Sequence, residues 1–344
     1  MDNNLFGKNL NDITSICKRV KIGKGTAKEL FRYIYRKGES DFSKMDLLSE
    51  KARGILSENF QITTTSFIDV QTSIDGTKKY LFKYGENKFV ETAYIPETDR
   101  ATLCISCQMG CKMGCSFCFT AKQGFQCDLS VAEIINQLHS IPERNKVTNI
   151  VFMGMGEPFD NIENIFSAIE ILSDHNGYSL AQTRITVSTI GIIPGMKRLL
   201  ETTACKLAIS LHNPISEERR SIMPVEKVHT IDKIKIFLQT LAKKDQQRVF
   251  FEYIVFNNLN HSDNHAEQLA NILEGLACKI NLIKYNTAPD SEFTSPTDDI
   301  IEAFQKKLIN KGIVTTYRRS RGEDIFAACG LLSTKSKINK PLKE

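Results

Sequence analysis

Apolar positions change their rhythm twice along the chain. Up to about residue 75 they recur at helical spacing: in GTAKELFRYIYRKG, Leu30, Phe31, Ile34 and Tyr35 share one face and Gly38 closes the segment. This predicts a helical opening. KKYLFKYG and KFVETAYI then bring runs of aromatic and β-branched residues separated by GEN, the pattern of a hairpin.

From about residue 101, near-continuous apolar runs alternate with segments of helical period. The runs are ATLCIS, TNIVFMG, RITVST, CKLAISL, RVFFEYIVF and KINLIKYN. Strands without polar alternation are buried on both faces, as in a parallel sheet covered by helices. The clearest intervening helix begins at Ser130, which forms a capping box with Glu133 and leads into the apolar stripe of Val131, Ile134, Ile135 and Leu138. NIENIFSAIEILSD, IDKIKIFLQTLAKK, NHAEQLANILEGLA and DDIIEAFQKKLIN predict further helices. Strand–helix units without a nucleotide-binding glycine fingerprint after the first strand predict an α/β fold, a partial or complete (β/α) barrel. Its active site would lie at the carboxyl ends of the strands. The expected organisation is a helical, RNA-binding accessory domain over residues 1–85, a barrel core over 86–331 and a basic tail over 332–344.

Composition narrows the class. The chain has 344 residues, 41% of them hydrophobic, enough for a proper core. No apolar run approaches a membrane span, and MDNNLFGKNLND lacks the basic and then apolar pattern of a signal peptide. The expected location is therefore the cytoplasm, with no membrane partner. Ten cysteines in a reducing compartment point to a metal or to thiol chemistry rather than to a disulfide framework. The net charge of +5 suits a polyanionic partner without requiring one. Basic residues gather at Lys18, Arg19, Lys21 and Lys24, at Arg318, Arg319 and Arg321, and at Lys335, Lys337, Lys340 and Lys343, although each run also reads as a solvated surface.

The thiols crowd into one stretch, with Cys104 and Cys107 in TLCISC followed by Cys111, Cys115 and Cys118 in CKMGCSFC. Two metal readings compete. Cys104, Cys107, Cys115 and Cys118 would make two CxxC pairs for tetrahedral zinc, but the interval between the pairs is short and Cys111 is left without a role. Alternatively, Cys111, Cys115 and Cys118 hold three irons of a 4Fe-4S cluster and leave the fourth iron open to a small molecule. CxxxCxxC after a first barrel strand is the pattern of the radical S-adenosylmethionine (SAM) enzymes, and it uses all three thiols of that loop.

The similarity extends beyond these ligands. ETAYIPETDRATLCISCQMGC, AKQGF, FMGMGEP, STIGIIPG, LAISLHNP, CKINLIKYN and RSRGEDIFAACG resemble, in order, the RlmN/Cfr family of radical SAM RNA methyltransferases, over roughly residues 20 to 332. The resemblance implies a barrel of radical SAM type. It also implies SAM contacts at Gly156 and Glu157, Ser188, Ser210, Leu211, His212 and Asn286. A lone GxG otherwise reads as a tight turn.

By the same resemblance Cys329 carries a methyl group taken from one SAM molecule, and a hydrogen atom leaves that methyl so that its carbon can add to adenine. Cys104 then helps resolve the protein–RNA crosslink, pairing transiently with Cys329. Glu91 is implied as proton acceptor. Read alone, Cys329 is a small buried residue near a turn and Glu91 a solvent-side charge on a strand. AKQGF, RSRGEDI and ACKINLI look closer to the RlmN branch, which methylates adenine C2, than to the Cfr branch, which methylates C8. The implied product is 2-methyladenosine in 23S rRNA, with tRNA beside the anticodon as a second candidate. A splayed-out adenosine would be held by phosphate contacts from the basic runs. An electron donor such as flavodoxin or ferredoxin, and a monomeric protein, complete the expectation. Phe119 and Ala121 replace smaller residues of the family pattern, Cys107 replaces a serine, and Phe326 and Leu331 differ around Cys329.

Overall fold

A computed structural model of the chain describes residues 3–287 and 291–332, so Lys335, Lys337, Lys340 and Lys343 lie outside the described residues. The opening is helical over Leu10–Arg19, Lys24–Arg32 and Glu50–Asn59. Asn9 and Asp12 form a capping box that satisfies the first free amides, and Ile13 and Cys17 bury the inner face. Gly38 takes a left-handed conformation, φ 73°, where the helical segment ends.

Ten strands form one mixed sheet. Three are antiparallel: β1 (Phe67–Thr72), β2 (Lys78–Gly85) and β3 (Lys88–Pro96). β2 and β3 are the expected hairpin, and they pair from Lys78 opposite Tyr94 to Gly85 opposite Lys88. The expected domain boundary at residue 85 thus falls in the turn between two paired strands. β4 (Ala101–Cys104) runs antiparallel to β3 and parallel to its other neighbour. A two-stranded ribbon, β5 (Gln108–Met109) with β6 (Cys127–Asp128), stands apart from the main sheet.

The sheet continues through β7 (Asn149–Phe152), β8 (Ile185–Thr189), β9 (Lys206–Ser210), β10 (Val249–Val255), β11 (Lys279–Lys284) and β12 (Thr315–Arg318). From β4 onward every pairing is parallel, and the expected helices fill the crossovers. β10 is buried at every position, as a strand covered on both faces must be. Among the described residues β1 and β12 are not paired with each other, so the barrel is partial. The gap is bridged by side chains. Ser73 Oγ donates to Asp324 Oδ1 at 2.6 Å, and the Gly322 amide donates to Asp75 Oδ2 at 2.9 Å. These bonds fasten the segment after β12 to the β1–β2 turn.

A helix over Ile193–Thr202, within STIGIIPG and its continuation, was not expected. Proline is accommodated in its first turn, and a Cβ at Gly195 would come within 2.3 Å of the Phe159 ring, so glycine here serves close packing. Among the described residues no helix is long and apolar enough to cross a membrane.

Candidate active site at the carboxyl ends of the strands

β4 delivers Cys104 to the rim of the sheet, and the loop that follows carries Cys111, Cys115 and Cys118. All four thiols line one cavity, and Cys329 lines it too. The loop is shaped by backbone that only glycine tolerates. Gly110 has φ 75°, and a Cβ there would meet the Gly124 carbonyl oxygen at 1.6 Å. Cys118 donates its amide to the Cys115 carbonyl at 3.2 Å, closing the turn between the last two thiols. The short helix Phe119–Gln123 then ties this loop to the segment of Cys329. Phe119 donates its amide to the Gly330 carbonyl at 2.9 Å, and Thr120 Oγ1 donates to the Leu332 carbonyl at 2.6 Å.

Burial pushes the Cys111 thiol up to about 12 and raises Cys115 and Cys118 as well. Bound cations reverse such shifts and make thiolates the stable form. No three Cys, His, Asp or Glu side chains among the described residues converge on a single-ion site. The donor set nonetheless fits a cluster with three thiolate ligands, because all three thiols surround the same space.

Part of the lining is polar and unsatisfied. Five buried side-chain atoms among the described residues lack a hydrogen-bond partner, and three of them are Glu252 Oε2, Asn286 Oδ1 and Ser320 Oγ. They lie on or just after β10, β11 and β12; Glu252 and Ser320 line the cavity and Asn286 does not. Buried polar atoms are paired in the great majority of cases, so orphans in the lining fit polar ligands.

Gly156, with φ 102°, packs where a Cβ would fall 2.5 Å from Gln108 Cβ. Glu157 follows it, buried, accepting the amides of Phe159 at 3.2 Å and Ile190 at 3.0 Å. Burial pushes its carboxyl up to about 7. Ser188 and Ser210, at the ends of β8 and β9, line the cavity. His212 also lines it in a left-handed conformation, φ 56°, and its Nδ1 accepts the Ile254 amide at 3.0 Å. Burial holds its imidazolium down to about 3, so the ring is neutral.

Arg219, fully buried, braces these strand ends by donating to the carbonyls of Ile190, Ser210 and Leu211 while pairing with Glu226. Leu211 itself is a core side chain that does not line the cavity. Asn286 Nδ2 reaches the Cys329 carbonyl at 3.5 Å.

Cys104 is pushed up to about 12 by burial, with the neighbouring Cys329 thiol adding to the rise; Cys329 is raised chiefly by burial. Glu91 stands elsewhere. It is 1% exposed and paired with Lys79, so it is no solvent-side charge, and it does not line the cavity.

Three cavity residues escaped the sequence reading. Arg318, grouped there with surface phosphate contacts, lines the cavity together with Cys329, Glu252 and Cys104. Arg319 and Arg321 are exposed at the mouth. Glu252 and Ser320 complete the set. Glu252 could have been found, since it is the one charge in the otherwise apolar VFFEYIV.

Residues 105–270 match the radical SAM superfamily. The chain is 46% identical over 334 residues to a probable dual-specificity RNA methyltransferase RlmN of Porphyromonas gingivalis, covering 96% of each. It is 44% identical over 330 residues to the corresponding protein of Bacteroides thetaiotaomicron, again covering 96% of each. A crystal structure of a radical SAM methyltransferase from Sphaerobacter thermophilus superposes with a TM-score of 0.87 at 34% identity, over 95% of this chain and 98% of that one. Matched from end to end in sequence and in fold, with the three-thiol loop in its expected place, the chain belongs to the RlmN family of radical SAM methyltransferases.

Proposed function

We propose that this enzyme methylates C2 of an adenosine in 23S rRNA, and of an adenosine beside the anticodon of tRNA, by way of a methyl group carried on Cys329. The observation that carries the reading is the placement of Cys104 and Cys329 in one cavity with the three thiols of the CxxxCxxC loop. The "dual-specificity" name of the relatives favours two classes of RNA.

Enzymes of this family use a 4Fe-4S cluster and SAM, which supply a transferable methyl group and a radical able to take a hydrogen atom from an unactivated C–H bond. Cys111, Cys115 and Cys118 would hold the cluster. Glu157 would accept the amino group of SAM, while Ser188, Ser210, His212, Asn286 and the backbone of Leu211 would surround the rest.

Cys329 Sγ gives up its proton and takes the methyl group, whose carbon, after losing a hydrogen atom, bonds to C2 of the base. The cavity walls exclude water from that carbon. Rearomatisation removes the C2 proton and one electron, which the bound cluster would take up. Cys104 forms an S–S bond to Cys329 as the S–CH2 bond breaks, the freed methylene carbon takes a proton, and a reductant later restores both thiols. Glu91 would act as proton acceptor through a relay, since it does not line the cavity. Arg319 and Arg321 would receive RNA phosphates at the mouth. A reduced flavodoxin or ferredoxin would deliver electrons to a monomeric, cytoplasmic enzyme.

The test is mass spectrometry of nucleosides from rRNA and tRNA after anaerobic reaction of the reconstituted protein with SAM and a reductant. The expected result is 2-methyladenosine that disappears with Cys329→Ala. An 8-methyladenosine product would place the enzyme in the Cfr branch, and unmodified RNA beside active SAM cleavage would overturn the reading.

A further inference from the structure

Glu252 sits in a strand where nothing in the packing calls for a charge. β10 is buried at all seven positions, and Glu252 is its one ionisable carboxyl. The side chain is 4% exposed and lines the cavity of Cys104 and Cys329. One oxygen receives a long hydrogen bond, 3.4 Å, from Asn281 Nδ2, and the other receives none. A carboxyl so placed costs several kcal/mol unless something completes it.

The surroundings indicate what completes it. Across the sheet Glu252 is flanked by Ser210 and Asn281. Arg318, on β12, lines the same cavity, as do Cys104 and Cys329. The free oxygen therefore belongs to the cavity in which the reacting base must lie. It can accept a hydrogen bond, and the base offers a donor.

Resting on the function proposed above, the geometry points to Glu252 as the residue that reads the target base, its free carboxylate oxygen accepting a hydrogen bond from the exocyclic amino group of adenine. A flipped base is identified by such edge contacts. Purine lacks the amino group, and hypoxanthine presents a carbonyl oxygen that a carboxylate repels, yet both keep a hydrogen at C2. Glu252 thus selects the base while Cys329 acts on it.

The test uses the reconstituted enzyme with a methylated RNA rebuilt to carry adenosine, purine ribonucleoside or inosine at the modified position. Methylation rates are compared as ratios within each protein, so a general loss of activity cancels. The unaltered enzyme should prefer adenosine, and Glu252→Ala should reduce the adenosine-to-purine ratio by roughly 10-fold or more, the worth of a hydrogen bond to a charged group. Glu252→Gln, close in size and still an acceptor, should fall part of the way. Ratios unchanged in both variants would overturn the assignment. An equal loss on all three RNAs with a raised KM for SAM would also overturn it, giving the carboxylate to the cofactor. Failure of the unaltered enzyme to methylate adenosine would overturn the proposed function and this assignment with it.

Discussion

Lys79 Nζ lies 3.3 Å from Glu91 Oε1, and both side chains are almost wholly withdrawn from solvent. The pair joins β2 to β3, and Lys79 also donates to the Phe326 carbonyl at 3.4 Å, in the segment that carries Cys329. Glu91→Leu would strand a buried ammonium, and removing one partner of such a pair costs about 3–5 kcal/mol. Urea unfolding should show that loss, and Lys79→Met combined with Glu91→Leu should recover most of it. Methylation by the double variant, set beside Lys79→Met alone, then separates stability from chemistry: activity kept by Lys79→Met and lost by the folded double variant ties Glu91 to proton transfer.

Gly110 precedes the first of the three loop thiols. With φ 75° and a Cβ position 1.6 Å from the Gly124 carbonyl oxygen, Gly110→Ala must displace backbone. Iron and sulfide bound after anaerobic reconstitution should fall by more than half. Gly54→Ala, on a helix with nothing near its Cβ, should bind as much as the unaltered protein.

The arginines of RRSR divide by position. Replacing Arg319 and Arg321 by glutamine should weaken RNA binding at low salt and reduce the slope of log affinity against log salt by about 1 to 2. Arg318→Gln, inside the cavity with the thiol pair, should lower methylation at saturating RNA with little change in that slope. Filter binding over a salt series, beside single-turnover rates, distinguishes the two. A slope that responds equally to Arg318 would put all three at the phosphates.

Glu157 makes stability depend on pH in a defined direction. Its folded carboxyl is pushed up to about 7 from the ordinary 4.5. Below about 4.5 both folded and unfolded chains hold the proton. Between there and about 7 the folded chain keeps a proton that the unfolded chain releases, so this contribution is lost as pH rises. His212, held down to about 3, acts in the opposite sense at lower pH. Comparing Glu157→Gln with the unaltered protein, both free of cluster and SAM, isolates the first effect. The variant should gain relative stability from pH 5 to about 7 and level off above it, measured as urea midpoints.

β4 and the strands from β7 to β11 were legible because each is a near-continuous apolar run, the direct mark of burial on both faces; β5 and β6, two residues each, were not. β1 was not, since FIDVQT is an edge strand with polar residues exposed along it. β12 was not, because TTYR turns threonine and arginine toward polar partners and leaves too few apolar positions to register. The helix after β8 hid behind proline and glycine that read as a turn. The three loop thiols were visible because they are close in sequence. Glu252, Arg318 and Ser320 meet only once β10, β11 and β12 are set side by side, and no spacing along the chain records that register. The resemblance to the family pointed to Leu211, yet its side chain is sunk in the core, which leaves the backbone at the strand end.

The bonds from Ser73 and Asp75 to Asp324 and Gly322 span about 250 positions of the chain. They act as a clasp: the segment after β12 is anchored at its start by a turn from the far end of the fold. A protein shortened to begin after residue 77 would keep every cavity residue and lose the clasp, leaving the strap that carries Cys329 held only by its bonds to Lys79, Asn286 and the helix of Phe119 and Thr120. Exchange of the amino-terminal part between relatives would carry the same hazard, so the β1–β2 turn and the segment of Cys329 must be inherited as one mechanical unit.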